Sequence, residues 1–491
     1  MKEAQEKMQE LPQGWIWAKL GDVSTIEAGG TPSTKDPDNF GGDISWITPA
    51  DLSGFDGKFI SRGARNVSEK GLRSSSAKIL PAGTVIFSSR APIGYVAIAQ
   101  NPICTNQGCK NFIPSSGISS EYIFHYLKGN RSLAESYASG TTFLELSAKK
   151  AAMLPIPIPP SKEQHRIVSR IEELFSRLDA GVEELQKAKG QLQRYRQSVL
   201  KAAMDGKLTA IWRENHKNEI ESTPEPQIKM NVDLSIIKSI SQNELPKGWY
   251  WTTFNQVSER ITVGHVGLMK NEYVEDGIPF LRSQNVRENR FDPQGLKYIS
   301  IKFHYQLKKS KLDPRDLVIV RSGVNAGNAC VIPDYIKDAN CSDLVIIKRP
   351  YAIDPHYGAF YINSIAKLFI SNQEVGSAIR HFNTKSVAKM PIIVPPLMEQ
   401  HIMIDEIGRH FSITNDSEMA INNILNNVGK MQQSILRKAF EGKLITQDPN
   451  DEPAGVLLER IKAKKSNMEV FINLASARKT NFFKFIFFTL L

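Results

Sequence analysis

The sequence predicts two globular domains of mixed α/β (α+β) type in tandem, each followed by a long helix, with the two helices forming an antiparallel coiled coil. Three observations lead to this fold: motifs that occur twice at a nearly constant offset, short runs of β-branched residues, and two long stretches with apolar residues at helical spacing. Because both copies keep the same internal order, we expect a pseudo-two-fold internal repeat.

The repeat is carried by four motifs whose copies lie 234 or 236 residues apart. With the first residue of each copy, they are LPxGWxW (Leu11 and Leu245), PP (Pro159 and Pro395), EQH (Glu163 and Glu399) and a QSxLxxAxxGKL close (Gln197 and Gln433). The closing motif is identical at seven of twelve positions. Agreement in four separate places indicates a duplication rather than chance.

These motifs divide the chain into six segments. They are a first globular domain at residues 1–158, a first long helix at 159–208, a linker at 209–244, a second globular domain at 245–394, a second long helix at 395–445 and a C-terminal tail at 446–491. Within the globular domains, apolar runs such as Thr84–Phe87 and Leu317–Val320 predict strands. A helix is expected near the end of each domain, at Glu121–Lys128 and Tyr357–Ser371.

Both long helices follow a proline clamp and end at a glycine. Ser161 with Gln164 predicts a capping box at the start of the first helix, and Gly206 predicts its end. Apolar residues follow a heptad frame, and the helix should be roughly 65 Å long at 1.5 Å per residue. The seam residues expected at the coiled coil are Ile171, Leu174, Leu178, Leu185, Leu192, Tyr195, Ile407, Ile421, Ile424, Val428, Met431 and Ile435.

An apolar seam of this length must be covered. The economical arrangement packs the two helices on each other, and the alternative is that each helix packs on its own globular domain. The second helix has polar residues in its middle, at His410, Thr414 and Ser417, so its seam should be weaker there.

Composition favours a polyanionic partner. The chain carries 62 Lys and Arg against 51 Asp and Glu, a net charge of +11, although many basic proteins bind no nucleic acid. Four cysteines without a CxxC pair indicate reduced thiols and no zinc site, as expected of a cytoplasmic protein. The charged N-terminus is unlike a signal peptide, and the apolar last ten residues are too short to span a bilayer.

Motifs of the obvious nucleic-acid enzymes are missing. The sequence contains no GxxxxGK[ST] loop for ATP and no Asn/Asp-Pro-Pro-Tyr/Phe methyltransferase motif; the nearest stretch, Asp354–Tyr357, breaks at the second Pro. The repeated Glu-Gln-His could suggest a metal site, but its place at the first turn of a helix favours capping and docking. We therefore predict neither catalytic residues nor metal ligands in this chain.

The order of an LPxGW opening, a globular stretch, an IPIPPxxEQ clamp, a long helix and a QSxLxxAxxGKL close, all repeated once, resembles the specificity subunit of Type I restriction–modification systems. The second clamp departs slightly, reading IIVPPLMEQ, and residues 447–461 are similar to the C-terminal segment of that family. The resemblance covers residues 11 to about 465.

The resemblance implies that each globular stretch is a target-recognition domain for one half of a split, asymmetric DNA site. It also implies that the helix pair fixes the gap between the half-sites and docks, with its seam residues, two methyltransferase (modification) subunits and then two restriction subunits. S-adenosylmethionine, ATP and Mg would belong to those partners, with no cofactor in this chain. If both domains face the same side of B-DNA, the half-site centres should lie ~34–36 Å apart.

Three polar stretches in each globular domain follow strand-like runs and carry residue types that can read base edges. Thr48–Asp51 matches Arg282–Asn285, Ser88–Arg90 matches Arg321–Gly323, and the third stretches precede the proline clamps. The DNA-binding candidates are Thr48, Asp51, Ser89, Arg90, Thr141, Thr142, Arg282, Gln284, Asn285, Arg321, Ser322, Asn325, Arg380 and Asn383. Each could instead be an ordinary polar residue of a loop.

Both globular stretches are positively charged, with 14 basic against 11 acidic residues at 11–160 and 20 against 13 at 245–396. Both could therefore neutralise phosphates. Two other functions stay open: a two-headed coiled-coil scaffold that binds proteins rather than DNA, and a self-sufficient enzyme, which the missing motifs disfavour. Neighbouring genes for an adenine methyltransferase and an ATP-dependent restriction subunit would favour the DNA-specificity function.

Overall fold

A computed structural model describes residues 10–140, 144–222, 244–373 and 382–467, with the backbone alone at 365–373. The chain folds into two compact units, and each unit contains parts of both sequence copies. The first unit combines Met1–Glu183 with Ile424–Leu491, and the second consists of Glu184–Asn423. Every helix in the described ranges is too short or too polar to cross a membrane.

The globular part of the first unit contains three sheets and several short helices. In spatial order, the sheets are Ser24–Ala28, Cys109–Pro114, Val85–Ser88, Val96–Ala99 and Phe59–Ile60; then Arg65–Val67, Phe40–Ile47 and Cys104–Thr105; then Ile16–Lys19 with Pro155–Ile158. The helices are Leu20–Val23, Pro37–Asn39 (3₁₀), Pro49–Leu52, Glu69–Arg73, Ser120–Gly129, Arg131–Tyr137 and Ala148–Ala152. The mixed α/β class and the helix expected at Glu121–Lys128 are confirmed.

The described part of the second unit contains four sheets. In spatial order, they are Ser258–Val263, Leu344–Pro350, Leu317–Val320 and Ala329–Val331; then Tyr273–Val274, Lys297–Ile299, Ile278–Leu281, Ala339–Cys341 and Lys311–Leu312; then Tyr250–Thr253 with Pro391–Val394, and Val286–Arg287 with Arg290–Phe291. The helices are Ala210–Asn215, Lys217–Ser222, Phe254–Gln256 (3₁₀), Ser283–Asn285 (3₁₀), Ile301–Gln306, Pro355–Gln373 and Thr384–Lys389.

The opening motif and the proline clamp form the same small sheet in both copies. Ile16 lies opposite Ile158 in one antiparallel pair, and Tyr250 lies opposite Val394 in the other. Proline has no N–H to donate, so a clamp strand suits the edge of a two-stranded ribbon. Each ribbon therefore fixes where its long helix leaves the globular part.

The long helices are Ser161–Met204 and Leu397–Phe440, 44 residues each. Both end as predicted, at glycines in the left-handed region: Gly206 has φ 72° and Gly442 has φ 69°. After each glycine, the next N–H bonds back into the helix, from Lys207 to the Ala202 carbonyl and from Lys443 to the Lys438 carbonyl, both at 2.8 Å. This pattern is the Schellman ending of a helix.

The helix start was predicted with the wrong contacts. The Ser161 hydroxyl donates to the carbonyl of Gly117 at 2.9 Å, so Ser161 and Gln164 do not form a capping box. Instead, buried Gln164 accepts from the Ser119 N–H at 2.9 Å. In the second copy, Gln400 accepts in the same way from the Asp354 N–H at 2.8 Å. The repeated Gln thus ties each long helix to the loop before a helix of its own globular domain.

The helices pair, but not along the whole predicted seam. Ile171, Ile407 and Ile421 are buried as expected, and the intermediate exposure of Leu174, Leu178, Leu185, Leu192, Val428 and Ile435 suits a seam covered from one side. Ile424 and Met431 are exposed by more than 40 %, which corrects the prediction at those positions, whereas Tyr195 is 43 % exposed and still contacts His410 of the second helix. A straight helix drifts by ~20° per heptad from a 3.5-residue repeat, so the inward face moves to neighbouring residues.

In the second unit the helix pair is held by polar contacts that the heptad pattern did not show. Lys189 donates to the Asn422 side chain at 3.0 Å, and Arg196 donates to Thr414 at 2.9 Å. Tyr195 bonds to His410 at 2.8 Å. As the residue number increases along the first helix, the residue number of its partner on the second helix decreases. The pair is therefore antiparallel, as predicted. Of the three polar residues predicted to weaken the middle of the seam, His410 and Thr414 are therefore partners in this contact, whereas Ser417 bonds to the Ile413 carbonyl of its own helix.

Each globular core also buries helix residues from both sequence copies. In the first unit, Ile167 and Ile171 of the first helix share a core with Leu436 and Phe440 of the second. The second unit has the reciprocal arrangement, in which the core contains Val199, Leu200, Ala203 and Met204 together with Met403 and Ile407. The two packing alternatives left open by the sequence are therefore combined.

The predicted linker and tail are partly folded. Residues 209–222 contain two helices, and buried Thr209 bonds to Glu399 at 2.6 Å within the second unit. Residues 454–467 are helical, and Ala454, Leu457 and Ile461 are buried in the core of the first unit. Residues 454–467 thus complete the core of the first unit, whereas residues 209–222 are joined to the second unit by polar contacts. Residues 223–243 and the apolar last ten residues lie outside the described ranges.

Candidate nucleic-acid interface

In the first unit, backbone hydrogen bonds bring the first two predicted polar stretches and the segment around Leu146 to one place, while Thr141 and Thr142 of the third stretch lie outside the described residues. The Asn106 N–H donates to the Ile47 carbonyl at 2.9 Å, just before Thr48. The Ser89 N–H donates to the Gly108 carbonyl at 2.7 Å, and the Leu146 N–H donates to the Ser89 carbonyl at 3.0 Å. A fourth segment, residues 106–108, lies between the other three. We call this place the first loop junction (residues 47–51, 88–90, 106–110 and 144–146).

The second unit repeats this set of bonds. The Ser342 N–H donates to the Leu281 carbonyl at 3.0 Å, and the Arg321 N–H to the Asp343 carbonyl at 3.3 Å. The Phe382 N–H donates to the Arg321 carbonyl at 2.9 Å. This is the second loop junction (residues 281–285, 320–325, 341–343 and 382–383). Arg321 therefore occupies the place of Ser89, which corrects the sequence match by one residue.

Two of the predicted DNA-binding residues, Asp51 and Asn285, hold the turns that follow the strands Phe40–Ile47 and Ile278–Leu281. Asp51 accepts from the Thr48 N–H at 2.8 Å and from its hydroxyl at 2.6 Å. Asn285 is fully buried and accepts from the Arg282 N–H at 3.0 Å. Asp51 and Asn285 thus have the same framework role, and burial of Asn285 corrects its assignment as an exposed reading residue. The hydroxyl of Thr48 is engaged in this turn through its hydrogen bond to Asp51.

The first loop junction presents an ion pair beside a cavity. Arg90 Nη1 lies 3.1 Å from Glu145 Oε2, and both side chains are 40 % exposed. They line a cavity of about 400 Å³ together with Asn106 and Gln107. Ser89, by contrast, is completely buried and donates to the Gly108 carbonyl at 3.0 Å, so it supports the junction from inside.

A buried lysine lies behind this ion pair. Lys110 is 5 % exposed, and its ammonium group donates to Ser89 Oγ at 3.0 Å and to the Gln107 carbonyl at 3.1 Å. It also lies 3.9 Å from Glu145 Oε1. Burial lowers the pKa of Lys110, and Glu145 acts against this shift. The carboxylate of Glu145 is therefore held between two cationic groups.

The second loop junction also carries an arginine–carboxylate pair. Arg321 Nη1 lies 3.5 Å from Asp343 Oδ1, and the Ser322 hydroxyl donates to Asp343 Oδ2 at 2.5 Å. Asp343 has φ 52°, in the left-handed region that Asp tolerates better than most residues. The pair resembles Arg90–Glu145 in chemistry, although its members come from other positions in the repeat.

Arg282 and Gln284 lie on the turn beside this pair. Arg282 Nη2 donates to the Gly295 carbonyl at 2.7 Å, and its guanidinium carbon is 5.9 Å from the ring centre of Tyr273. Its buried Nε has no hydrogen-bond partner among the described residues. Gln284 is exposed and makes a 3.4 Å contact to the same carbonyl. Both side chains are therefore placed where a ligand could reach them.

The remaining candidates have mixed outcomes. Asn325 is half-buried, and its carbonyl accepts from the Asn328 N–H at 3.0 Å. Asn383 is exposed and caps the helix Thr384–Lys389 by accepting from the Ser386 N–H at 2.8 Å. Thr141, Thr142 and Arg380 lie outside the described residues.

Sequence reasoning missed several residues of the two junctions, which are Asn106, Gln107, Lys110, Glu145 and Asp343. Asn106-Gln107-Gly108 is a polar turn between two short strands, and this signal could have drawn attention to it. Lys110 and Glu145 gave no such signal, because a charged residue in an apolar run is ordinarily read as solvent-exposed.

The repeated Glu that follows each proline clamp is buried inside its own unit. Glu399 is fully buried and accepts from Trp249 Nε1 at 2.7 Å and from Arg213 Nη1 at 2.5 Å. In the first unit, burial raises the pKa of Glu163, and the Trp15 and Gln447 side chains oppose that shift. Trp15, Trp249 and Trp251 are buried. No group of His, Cys, Asp and Glu within the described ranges could hold a metal ion.

Comparison with known proteins gives consistent matches along the chain. The family model described as Type I restriction modification DNA specificity domain matches residues 12–188 and 268–427. The MjaIX specificity subunit of a type I restriction enzyme from Methanocaldococcus jannaschii is 27% identical over 89% of this chain and 95% of its own length. The EcoKI specificity subunit from Escherichia coli strain K12 is 26% identical over 93% and 97%.

Solved structures agree on the fold. A chain from a structure on complex assembly and conformational transition of the type I R-M system has a TM-score of 0.63 at 18% identity, covering 89% of this chain and all of that chain. The HsdS subunit from Thermoanaerobacter tengcongensis has a TM-score of 0.55 at 19% identity with the same coverage. The fold and the paired loop junctions define a protein with two recognition modules in tandem. The chain belongs to the family of Type I restriction modification DNA specificity domain proteins.

Proposed function

We propose that this chain is the DNA sequence-specificity subunit of a Type I restriction–modification complex. Each globular domain binds one half of a bipartite, asymmetric DNA site. The observation that carries the proposal is the pair of loop junctions: the same backbone hydrogen bonds hold different polar side chains in the two copies. A duplicated frame with different side chains suits two readers of different sequences.

The chemistry belongs to partner subunits in this proposal. Two methyltransferase (modification) subunits dock on the helix pair, and two restriction subunits join them. S-adenosylmethionine, ATP and Mg are bound by those partners, and this chain, in the cytoplasm, is a non-catalytic subunit. The relatives named above are specificity subunits, and this sequence carries neither the ATP loop nor the methyltransferase motif.

Co-expression with its methyltransferase tests the proposal. The chain is expressed with an adenine methyltransferase subunit of a Type I restriction–modification system from the same genome, and methylated adenines are mapped across the host genome. We expect one split motif with a fixed gap. The control is the methyltransferase expressed alone. Methylation that does not exceed this control would contradict the proposal and would favour a scaffold that binds proteins.

The helix pair can be tested as the element that sets the half-site gap. Deleting one heptad from the first long helix removes about 10 Å of helix at 1.5 Å per residue. We expect a changed gap in the methylated motif, or loss of assembly with the methyltransferase. An unchanged gap at unchanged activity would show that the helix does not set the spacing.

A further inference from the structure

Each loop junction contains one arginine paired with one carboxylate, although the repeat does not place them at matching positions. In the first junction, Arg90 follows Ser89, and Glu145 precedes Leu146. In the second junction, Arg321 stands where the first has Ser89, and Asp343 stands where the first has Gly108. Simple inheritance from the duplicated unit therefore does not explain why both junctions hold this pair.

The pairs are poor candidates for a purely structural role. Arg90 and Glu145 are each 40 % exposed, and Arg321 and Asp343 are exposed by 31 % and 44 %. Ion pairs this accessible to water contribute little to stability. The pairs lie beside the backbone bonds that gather the polar stretches, and Arg90 and Glu145 border the cavity of about 400 Å³.

The donors and acceptors that each pair leaves unused match a ligand of defined chemistry. Among the described residues, Arg90 is seen to donate to Glu145 through Nη1 alone, which leaves Nε and Nη2 available. Arginine can donate twice to guanine O6 and N7, and a Glu or Asp carboxylate accepts from the cytosine N4 amino group. These two contacts lie side by side on the major-groove edge of a G·C pair.

We infer that each arginine–carboxylate pair, Arg90–Glu145 and Arg321–Asp343, reads one G·C base pair in the half-site bound by its own domain. The arginine contacts guanine, and the carboxylate contacts the paired cytosine. Lys110 positions the Glu145 carboxylate, and Ser322 positions the Asp343 carboxylate. This inference rests on the proposed function and names the base pair that its reading site takes.

Base analogues in the mapped motif test the inference on the complex with the methyltransferase. Each guanine of the half-site assigned to the first domain is replaced by 7-deazaguanine, which keeps pairing but lacks N7. We expect one guanine at which wild-type affinity falls about 5-fold or more. In Arg90→Ala the same replacement should have no further effect, because the contact is already gone. Arg73→Ala, at an exposed residue of the same domain, is the control and should keep the wild-type penalty.

The carboxylate is tested with N4-methylcytosine opposite that guanine. The analogue should weaken binding by the wild type and leave Glu145→Ala unaffected. The corresponding variants of the second domain, Arg321→Ala and Asp343→Ala, should respond in the other half-site. If Arg90→Ala fails to fold, Arg90→Lys takes its place, since it keeps the charge and loses the two-pronged donor.

Three results would overturn the inference. They are a half-site without any specified G·C pair, a wild-type complex indifferent to 7-deazaguanine at every position, and a penalty that persists in Arg90→Ala and Arg90→Lys. Each of these presupposes a mapped split motif, so the proposed function would stand. Absence of any motif would instead contradict the proposed function itself.

Discussion

The two units share the same backbone hydrogen bonds but differ in the side chains that these bonds position. This difference is seen at the proline clamps as well as at the loop junctions. In the second unit, the buried Glu399 carboxylate has Arg213, Trp249 and Thr209 as partners. In the first unit, Glu163 has no arginine in that place, and its Oε1 lacks a hydrogen-bond partner among the described residues. Backbone bonds and the Gln contacts recur, while charged partners do not. The shared backbone arrangement therefore accommodates different charged side chains in the two units.

Removing the Glu399 carboxylate should have the largest effect. In Glu399→Ala, Arg213 becomes an unpaired charge with a side chain only 17 % exposed. We expect the free energy of unfolding to fall by about 3–5 kcal/mol, measured by urea denaturation. Glu406→Ala is the matched control, because its ion pair with Arg409 lies on the accessible face of the same helix. A cost for Glu399→Ala no larger than that of the control would contradict this account of the clamp.

The helix-ending glycines should give an intermediate effect of the same sign in both units. Gly442→Ala forces a left-handed alanine and brings its Cβ to 2.2 Å from Pro12 Cγ, whereas the corresponding distance for Gly206→Ala is 2.7 Å from Pro246 Cγ. We expect each to cost about 1–2 kcal/mol from the backbone alone, with more for Gly442 because its neighbour is closer. Thermal melting of the purified chain checks the order.

Gly429→Ala is the control for the helix endings. It lies inside the second long helix with open space around its Cβ position. Alanine should stabilise the helix there by about 1 kcal/mol. Destabilisation by Gly429→Ala, or none by Gly442→Ala, would show that the ending geometry does not govern the result.

The smallest effect should be a pH dependence at the first clamp. Burial raises the pKa of Glu163 in the folded state, so folding favours its protonated form. The stability that this provides is present at low pH and is lost as pH rises through the folded pKa. Glu163→Gln should therefore gain stability relative to the wild type between pH 5 and pH 7, measured by urea denaturation. A constant difference across that range would be the contrary result.

The sequence predicted the elements that depend on local patterns. Strands such as Leu317–Val320 and the helix endings at Gly206 and Gly442 follow from residue type and spacing. The seam was predicted less accurately, since small angular drift along a long helix moves exposed Ile424 and Met431 out of the interface. The folded part of the tail was not predicted, because its few apolar residues can be recognised as core residues only once the core of the first unit is known.

The candidate site was predicted in outline only. The polar stretches at Thr48 and Ser89 do lie together, but the bonds of the junction link residues far apart in sequence, such as Ser89 with Gly108 and Leu146. Those bonds decide that Ser89 and Asn285 point inward and that Glu145 and Asp343 join the arginines. One sequence cannot supply these long-range pairings, and a one-residue difference between the copies misaligned Ser89 with Ser322.

The central claim is that two independent readers share one frame, and mapping of methylated adenines in three strains tests it most directly. The strains express the methyltransferase with the wild-type chain, Arg90→Ala or Arg282→Ala. Loss of a bidentate contact should reduce discrimination by ~1–3 kcal/mol at one position. We predict that Arg90→Ala relaxes one half of the motif and Arg282→Ala the other, with the gap unchanged. Relaxation of the same half by both variants, or of both halves by either one, would contradict the account.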